Sequence, residues 1–413
     1  MMASAIKVPY HRPDIGAQEI AEVVDTLRSG WLTSGPKVNR FEQEFARAVG
    51  AKHAVAVNSC TAALHLAVEA LGVKPGQGVL VPTMTFAATA EVVRYLGAIP
   101  LLVDCDPISL NLDLEDAARK VTLLRAGQLG SLPADMVIAG IIPVHVGGYM
   151  MNVAAVQRFA TANESWVVED AAHAFPAAWT KDKSSGWQRC GEQTGNITCF
   201  SCYANKTITT GEGGMIVTHD SDLAEHMRLM SLHGLSKDAW GRYTDNGSWD
   251  YQIIEPGYKY NLTDIAASIG IHQLRRAEEM RRRREAIASR YLAELIEVME
   301  LELPPVNADR LHAWHLFPIK LNLQKLSVNR NEFMQELKRD GVGCSVHWRP
   351  LHLHPYYQKT FDWRPEDFPV ATALWQRLIS LPIFPGMVDE EIDHVIGSVK
   401  GLCARYVSAS YRN

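Results

Sequence analysis

HAVAVNSCTAALHLAVEAL, residues 53–71, decides the fold. Its opening run AVAV is small and β-branched without polar alternation, the composition of a strand buried on both faces. Asn58 to Thr61 interrupt that run, and an apolar helical pattern follows. The same figure recurs outward from this point: GVLVP (78–82) leads into FAATAEVVRYLG (86–97), and IPLLVDC (99–105), MVIAGIIPVHV (136–146) and SWVVEDAA (165–172) come next. ITCFSCY (197–203) and GGMIVT (213–218) complete the series. Apolar strands separated by amphipathic segments imply right-handed crossovers and an α/β fold around a mostly parallel sheet. The last two strands stand closer together and are expected to pair differently.

The 413 residues are enough for a large domain and a smaller one. Hydrophobic residues at 47% and charged residues at 21% are ordinary for a globular protein, and a formal net charge of -5 argues against a general nucleic-acid binder. The N-terminus MMASAIKVPYHRPDIG lacks the layout of a secretory signal. The longest apolar run, Met136 to Val146, is far short of the roughly 20 residues of a membrane helix and reads as a buried strand. Seven cysteines spread over the chain fit a reducing compartment, so a cytoplasmic protein is expected. Cys199 and Cys202 form a CxxC, but on a strand i and i+3 point to opposite faces, and no second pair completes a metal set.

After Asn261 the pattern becomes helical for some thirty residues, long enough to leave one domain and enter the next. The basic cluster Arg281 to Arg284 lies among Glu278, Glu279 and Glu285 and reads as a solvated helix face. Beyond it a strand at HLFPIKL (315–321), a helix near Arg330 to Arg339, a strand at GCSVH (343–347) and helices near Pro365 and Asp389 read as a smaller α/β unit. The expected division is 1–260, 261–296 and 297–413.

Three elements carry chemistry. At NSCTAALHLA (58–67) a helix opens with Ser59, Cys60 and Thr61, whose free N–H groups and hydroxyls can hold a phosphate or simply cap the helix. WVVEDAAHA (166–174) runs an apolar strand out to Asp170, at the end of a parallel strand where open α/β sheets place ligand groups. YANKTITTGEGGMIVT (203–218) places Lys206 between two apolar strands, where desolvation favours the neutral amine that attacks an aldehyde. Pyridoxal phosphate (PLP) needs these three parts: an anion cradle, a carboxylate to keep the pyridine nitrogen protonated, and a lysine. Phe86 either stacks on such a ring or packs in the core.

NSCTAALHLA, TFAATA, EDAAHA, SCYANKTITTGEGG and YKYNLTDIAASIG together resemble the DegT/DnrJ/StrS sugar aminotransferases, PLP enzymes of fold type I, and the resemblance runs from about Pro9 to Leu402. It implies that Lys206 links covalently to the cofactor and that Asp170 partners the pyridine nitrogen. Ser59, Cys60, Thr61 and Ser201 fall where the family holds the phosphate, and Phe86 where an aromatic covers one ring face. His173 takes a position near the ring oxygen. Cys60 stands where the family often has glycine. Asn261 matches an asparagine that reaches the phosphate from a neighbouring subunit, which implies a homodimer with shared sites.

The activity so implied is transfer of an amino group from an amino acid, glutamate foremost, to a keto-sugar by a ping-pong route in which the cofactor alternates with pyridoxamine phosphate (PMP). NKTITTGEGG most resembles enzymes acting on nucleotide-linked 4-keto-6-deoxy sugars; a cyclitol ketone and a non-catalytic PLP-binding regulator are the alternatives. His347, Arg349, His352 and His354 in SVHWRPLHLHPYY either meet a diphosphate or serve as surface and hinge residues, the second reading being slightly favoured, and Trp314 and His315 are left open. Arg349 speaks against a metal among those histidines. An amino-acid-specific enzyme would need an arginine for the α-carboxylate, for which Arg349 is the candidate.

Overall fold

A computed structural model of the chain describes residues 6–130, 132–181, 186–192, 195–236 and 251–409. Two helices, α1 (Ala17–Ser29) and α2 (Pro36–Val49), precede the first strand β1 (His53–Val57). Strands β2 (Gly78–Pro82), β3 (Ile99–Val103), β4 (Ile138–Ile141), β5 (Trp166–Asp170), β6 (Ile197–Ser201) and β7 (Gly214–Thr218) complete one seven-stranded sheet. Between them run α3 (Cys60–Ala70), α4 (Ala88–Tyr95), α5 (Leu114–Arg125) and α6 (Val153–Ala162), and α7 (Ser221–Met230) follows β7. The strand order is β1-β7-β6-β5-β4-β2-β3. Only β7 opposes its neighbours, pairing antiparallel with β1 and β6, while the other pairs of this sheet are parallel. The expected largely parallel sheet is present, and the close-set last two strands pair differently because the link between them, residues 202–213, holds no crossover helix.

Helices cover both faces. On β1, Val55 and Val57 face the cluster built by α3 and α4, whereas Ala54 and Ala56 face Phe41 and Phe45 of α2. Phe45 stacks on Phe175 at 4.8 Å and meets Phe200 edge-on at 5.2 Å, so three elements lock through one aromatic knot. Cys199 and Cys202 lie in different clusters on opposite faces, both buried and free, as strand geometry requires. The apolar run at 136–146 yields a strand of only four residues, and beyond it the chain turns at Val146–Gly148, where Gly147 and Gly148 take left-handed φ of 66° and 93°.

Helix α8 (Asp264–Leu295) is 32 residues long. Ala267, Ile271 and Leu274 on its first half pack with Phe41, and Ile287, Ala288 and Tyr291 on its second half pack with Phe317 and Phe333. The second cluster surrounds an antiparallel sheet of β8 (Leu301–Glu302), β9 (Phe317–Leu321) and β10 (Leu378–Leu381), covered by α9 (Arg330–Arg339) and α12 (Asp389–Arg405). Two short helices, α10 (Pro355–Phe361) and α11 (Pro369–Trp375), lie between α9 and α12 in the chain. GCSVH is not a strand: only Ser345 bridges to Ser380. The basic cluster is also not a solvated face, since Arg281 and Arg284 are buried. Among the described residues no helix is long and apolar enough to cross a membrane.

Candidate active site

The C-terminal ends of the parallel strands open on one cavity of about 450 Å³. Its walls include eight of the nine expected site residues, namely Ser59, Cys60, Thr61, Phe86, Asp170, His173, Ser201 and Lys206. Asn261 lies elsewhere. Its Nδ2 donates to Ser34 Oγ at 2.8 Å, its Oδ1 accepts from Lys259 Nζ at 2.6 Å, and its backbone bridges to Val57.

The anion seat is built where β1 turns into α3. Ser59 is the N-cap, in extended backbone, and its hydroxyl accepts the Ala62 N–H at 3.1 Å. The Cys60 and Thr61 N–H groups, at the first turn, have no acceptor within the helix and stand at the positive end of its dipole. Gly214 brings β7 against this turn: a Cβ there would sit 2.3 Å from Ser59 O. The pairing of Gly214 with both Val57 and Ser201 sets the Ser201 hydroxyl beside the same turn. Burial pushes the Cys60 thiol well above its usual range, so this cysteine contributes a backbone N–H rather than a thiolate.

Lys206 lies across the cavity in the loop between β6 and β7. Desolvation, partly opposed by Cys60 and Asp170, pulls its amine down to about 8. Asp170 at the end of β5 is buried, and desolvation raises its carboxyl despite hydrogen bonds from Thr89 and Ala172 and the charges of Lys206 and His145. Its Oδ2 accepts from Thr89 Oγ1 at 2.8 Å, Thr89 is 2.7 Å from Thr85 Oγ1, and its Oδ1 accepts the Ala172 N–H at 3.1 Å. The carboxylate is therefore fixed in orientation by groups that cannot neutralise it.

His173 Nδ1 accepts the Gly147 N–H at 3.3 Å, so the neutral ring carries its proton on Nε2. Burial first, then Lys206 and His347, hold it neutral. Its ring stacks on Trp348 at 5.1 Å and lies 4.2 Å from that of His315. Phe86 is 62% exposed and belongs to the cavity wall, not the core.

The four residues of SVHWRPLHLHPYY do not act together. His347 lines the cavity. Arg349 is exposed and donates to Leu353 O, and His354 contacts Arg349 O. His352 is enclosed between Thr83 Oγ1 at 2.7 Å and Thr372 Oγ1 at 2.9 Å. Of the open pair, Trp314 packs in the core with Phe317 while His315 lines the cavity. Sequence reasoning missed Thr85 and Thr89, although both stand in TFAATA beside Phe86. A helix-start hydroxyl on an apolar face was the signal available. An anion seat, a neutralisable amine, an oriented carboxylate and an exposed aromatic face around one cavity suit a phosphorylated pyridine aldehyde.

The sequence pattern of the DegT/DnrJ/EryC1/StrS aminotransferase family matches residues 13–400. The protein MJ1066 of Methanocaldococcus jannaschii is 44% identical over 393 residues, covering 95% of this chain and 97% of that protein. The spore coat polysaccharide biosynthesis protein SpsC of Bacillus subtilis is 44% identical over 399 residues, 96% and 97% of the two chains. Among solved structures, the Streptococcus pneumoniae protein Spr1654, described as a sugar aminotransferase, superposes in its PMP form with a TM-score of 0.85 at 29% identity, covering 97% and 98% of the chains. Its PLP form gives 0.84 over 98% and 100%.

Proposed function

This chain belongs to the DegT/DnrJ/EryC1/StrS family of PLP-dependent sugar aminotransferases, and from that premise we propose that it moves the amino group of glutamate to a nucleotide-linked 4-keto-6-deoxy sugar by alternating half-reactions. The observation that carries the residue assignments is the cavity itself: one space bounded by the α3 N-terminus, Asp170 and an amine pulled down to about 8. In this reading Ser59, Ser201 and the Cys60 and Thr61 N–H groups hold the phosphate. Phe86 covers a ring face and His173 Nε2–H meets the ring oxygen. The bound cofactor supplies an electron sink for the carbon that loses its proton. Asp170 keeps the pyridine proton in place. Lys206 holds the cofactor at rest and, once displaced by the donor, takes the proton from the donor's α-carbon and returns it on the cofactor side. A pKa near 8 suits both directions of that transfer near neutral pH.

Asn261, outside the cavity of its own chain, is proposed to serve the phosphate of a partner subunit, giving a homodimer with shared sites. Residues 1–260 are proposed as an N-terminal arm and large cofactor-binding domain, 261–296 as the long connecting helix and 297–413 as a small C-terminal domain, which the change of core along α8 supports. Free cysteines throughout support a cytoplasmic location. The polysaccharide role in SpsC's name supports a sugar substrate.

The test is to incubate the PLP-loaded protein with glutamate and a nucleotide-linked 4-keto-6-deoxy sugar and weigh the sugar product by mass spectrometry. Amine in place of the ketone, with one 2-oxoglutarate released per sugar, is expected. Amination of a cyclitol ketone alone would replace the sugar assignment, and no turnover with any ketone would favour a PLP-binding regulator.

A further inference from the structure

His315 enters the cavity wall from the loop ahead of β9, 6% exposed. Neither ring nitrogen has a hydrogen-bond partner among the described residues, and Nδ1 is fully enclosed. No ligand can reach the enclosed Nδ1, and an orphaned buried N–H is rarer than an orphaned acceptor, so the proton of the neutral ring is placed on Nε2. The backbone behind it is pinned, with the His315 and Leu316 N–H groups both donating to Gly147 O, at 2.9 and 3.2 Å. Nε2 is left as the nitrogen able to meet a ligand.

Behind this wall lies Arg284 of α8, 1% exposed. Its Nη1 donates to Ile383 O at 2.6 Å and to Trp314 O at 3.3 Å, while Nε has no partner. No carboxylate of the described residues lies within ion-pair distance of it. Burial pulls the guanidinium down only to about 10, so it stays charged at neutral pH and bears on His315 and His11, whose protonation it opposes. The wall in front, His315, Val346, His347 and Trp348, carries no carboxylate; those lining the cavity are Asp170 and Glu212. Neutral N–H donors backed by an uncompensated cation form an anion seat.

We propose that His315 Nε2–H receives the α-carboxylate of the amino-acid donor, with Arg284 supplying positive potential from behind. The proposal rests on the aminotransferase reading and deepens it. Position selects the carboxylate over a sugar diphosphate. The α-carboxylate is bonded to the carbon that carries the reacting nitrogen, so it must sit beside Lys206, and His315 adjoins His173 at 4.2 Å in that same group. A diphosphate hangs from the anomeric carbon, across the sugar ring from a 4-keto group. The arrangement also explains how one cavity takes two unlike substrates in turn. A guanidinium in the wall would be stranded without its anion whenever the neutral sugar ring is bound, whereas a neutral imidazole can donate to a carboxylate or to a hydroxyl.

The test uses the PLP-loaded protein and two variants, His315→Phe, which removes the donor and keeps a ring, and His315→Gln, which keeps an N–H. Succinate, a non-reacting dicarboxylate, is titrated by calorimetry, and the glutamate and keto-sugar half-reactions are followed separately. His315→Phe is expected to weaken succinate and glutamate about ten- to a hundred-fold, the range for a hydrogen bond to a charged group, and to lower keto-sugar kcat/KM by a clearly smaller factor, about two- to fivefold, as for a bond to a neutral hydroxyl. His315→Gln is expected to recover part of the loss. Wild-type affinities in His315→Phe, or equal losses in both half-reactions, overturn the carboxylate seat alone. Failure of the wild-type protein to react with glutamate or any other amino acid overturns the aminotransferase reading beneath it.

Discussion

Thr89 shows how much of this site rests on groups that do no chemistry. Its hydroxyl has one proton, and an ionised Asp170 takes it, so Thr85 donates to Thr89 in turn. Loss of that hydrogen bond raises the Asp170 carboxyl further and moves the shared proton from the pyridine nitrogen toward the carboxylate. Thr89→Val is therefore expected to slow donor α-proton removal by about tenfold or more and to shift the nitrogen resonance of bound cofactor toward the unprotonated form, with Thr89→Ser restoring both. Lys206 gives a second test, with a definite sign. Its folded pKa is below its unfolded value, so the folded state binds fewer protons between about 8 and 10.5 and the burial cost is relieved as pH rises through that window. Cofactor-free Lys206→Met should melt at least as high as the parent at pH 7, with the margin shrinking toward pH 10, as calorimetric scans across pH would show. Lys206 and Asp170 were legible in the sequence because an ionisable residue at the end of an apolar strand is conspicuous. Thr89 was not, since a threonine at a helix start has many ordinary uses. His315 was left open for a different reason: Trp314 adopts a left-handed φ of 50°, which sends its indole to the core and the next ring to the cavity.

Among elements, the junction of β1, α3 and β7 decides whether an anion can be held. Gly214→Ala would drive a Cβ into Ser59 O; the turn must shift, at a cost of about 1–3 kcal/mol. Both the melting temperature and phosphate retention should fall, and equilibrium dialysis with pyridoxal phosphate would measure the second. The strand–helix alternation was readable here, but that Gly214 would lie between Val57 and Ser201 depends on long-range register, which local pattern does not carry. Helix α8 explains the error over the basic cluster. Four consecutive arginines spread over the whole circumference at 3.6 residues per turn, so they cannot share one face. Arg281 and Arg284, three apart, turn inward. Arg281 pairs with Glu278 at 2.9 Å and Glu285 at 3.1 Å, while Arg284 is driven under the cavity wall.

At the scale of the whole molecule, the central proposal is that one cavity per chain is completed by another chain. Asn261→Ala should weaken cofactor retention in the dimer without reaching the cavity of its own chain. Mixed with the inactive Lys206→Ala protein and allowed to exchange subunits, it should recover activity, because one of the two hybrid sites then has both an intact lysine and an intact asparagine. Failure of mixing to restore activity would contradict shared sites. Overall architecture was legible because apolar strands and amphipathic helices alternate with little ambiguity; assembly was reached only through resemblance, since a single chain shows Asn261 bonded to Ser34 and Lys259. Every role assigned to the cavity depends on Lys206 being the residue that holds the cofactor. Reducing the PLP-loaded protein with borohydride and sequencing its peptides by mass spectrometry tests that directly. A single cofactor-derived mass on Lys206, absent when glutamate is added before reduction, is the expected result, and label on another lysine, or none at all, would contradict it.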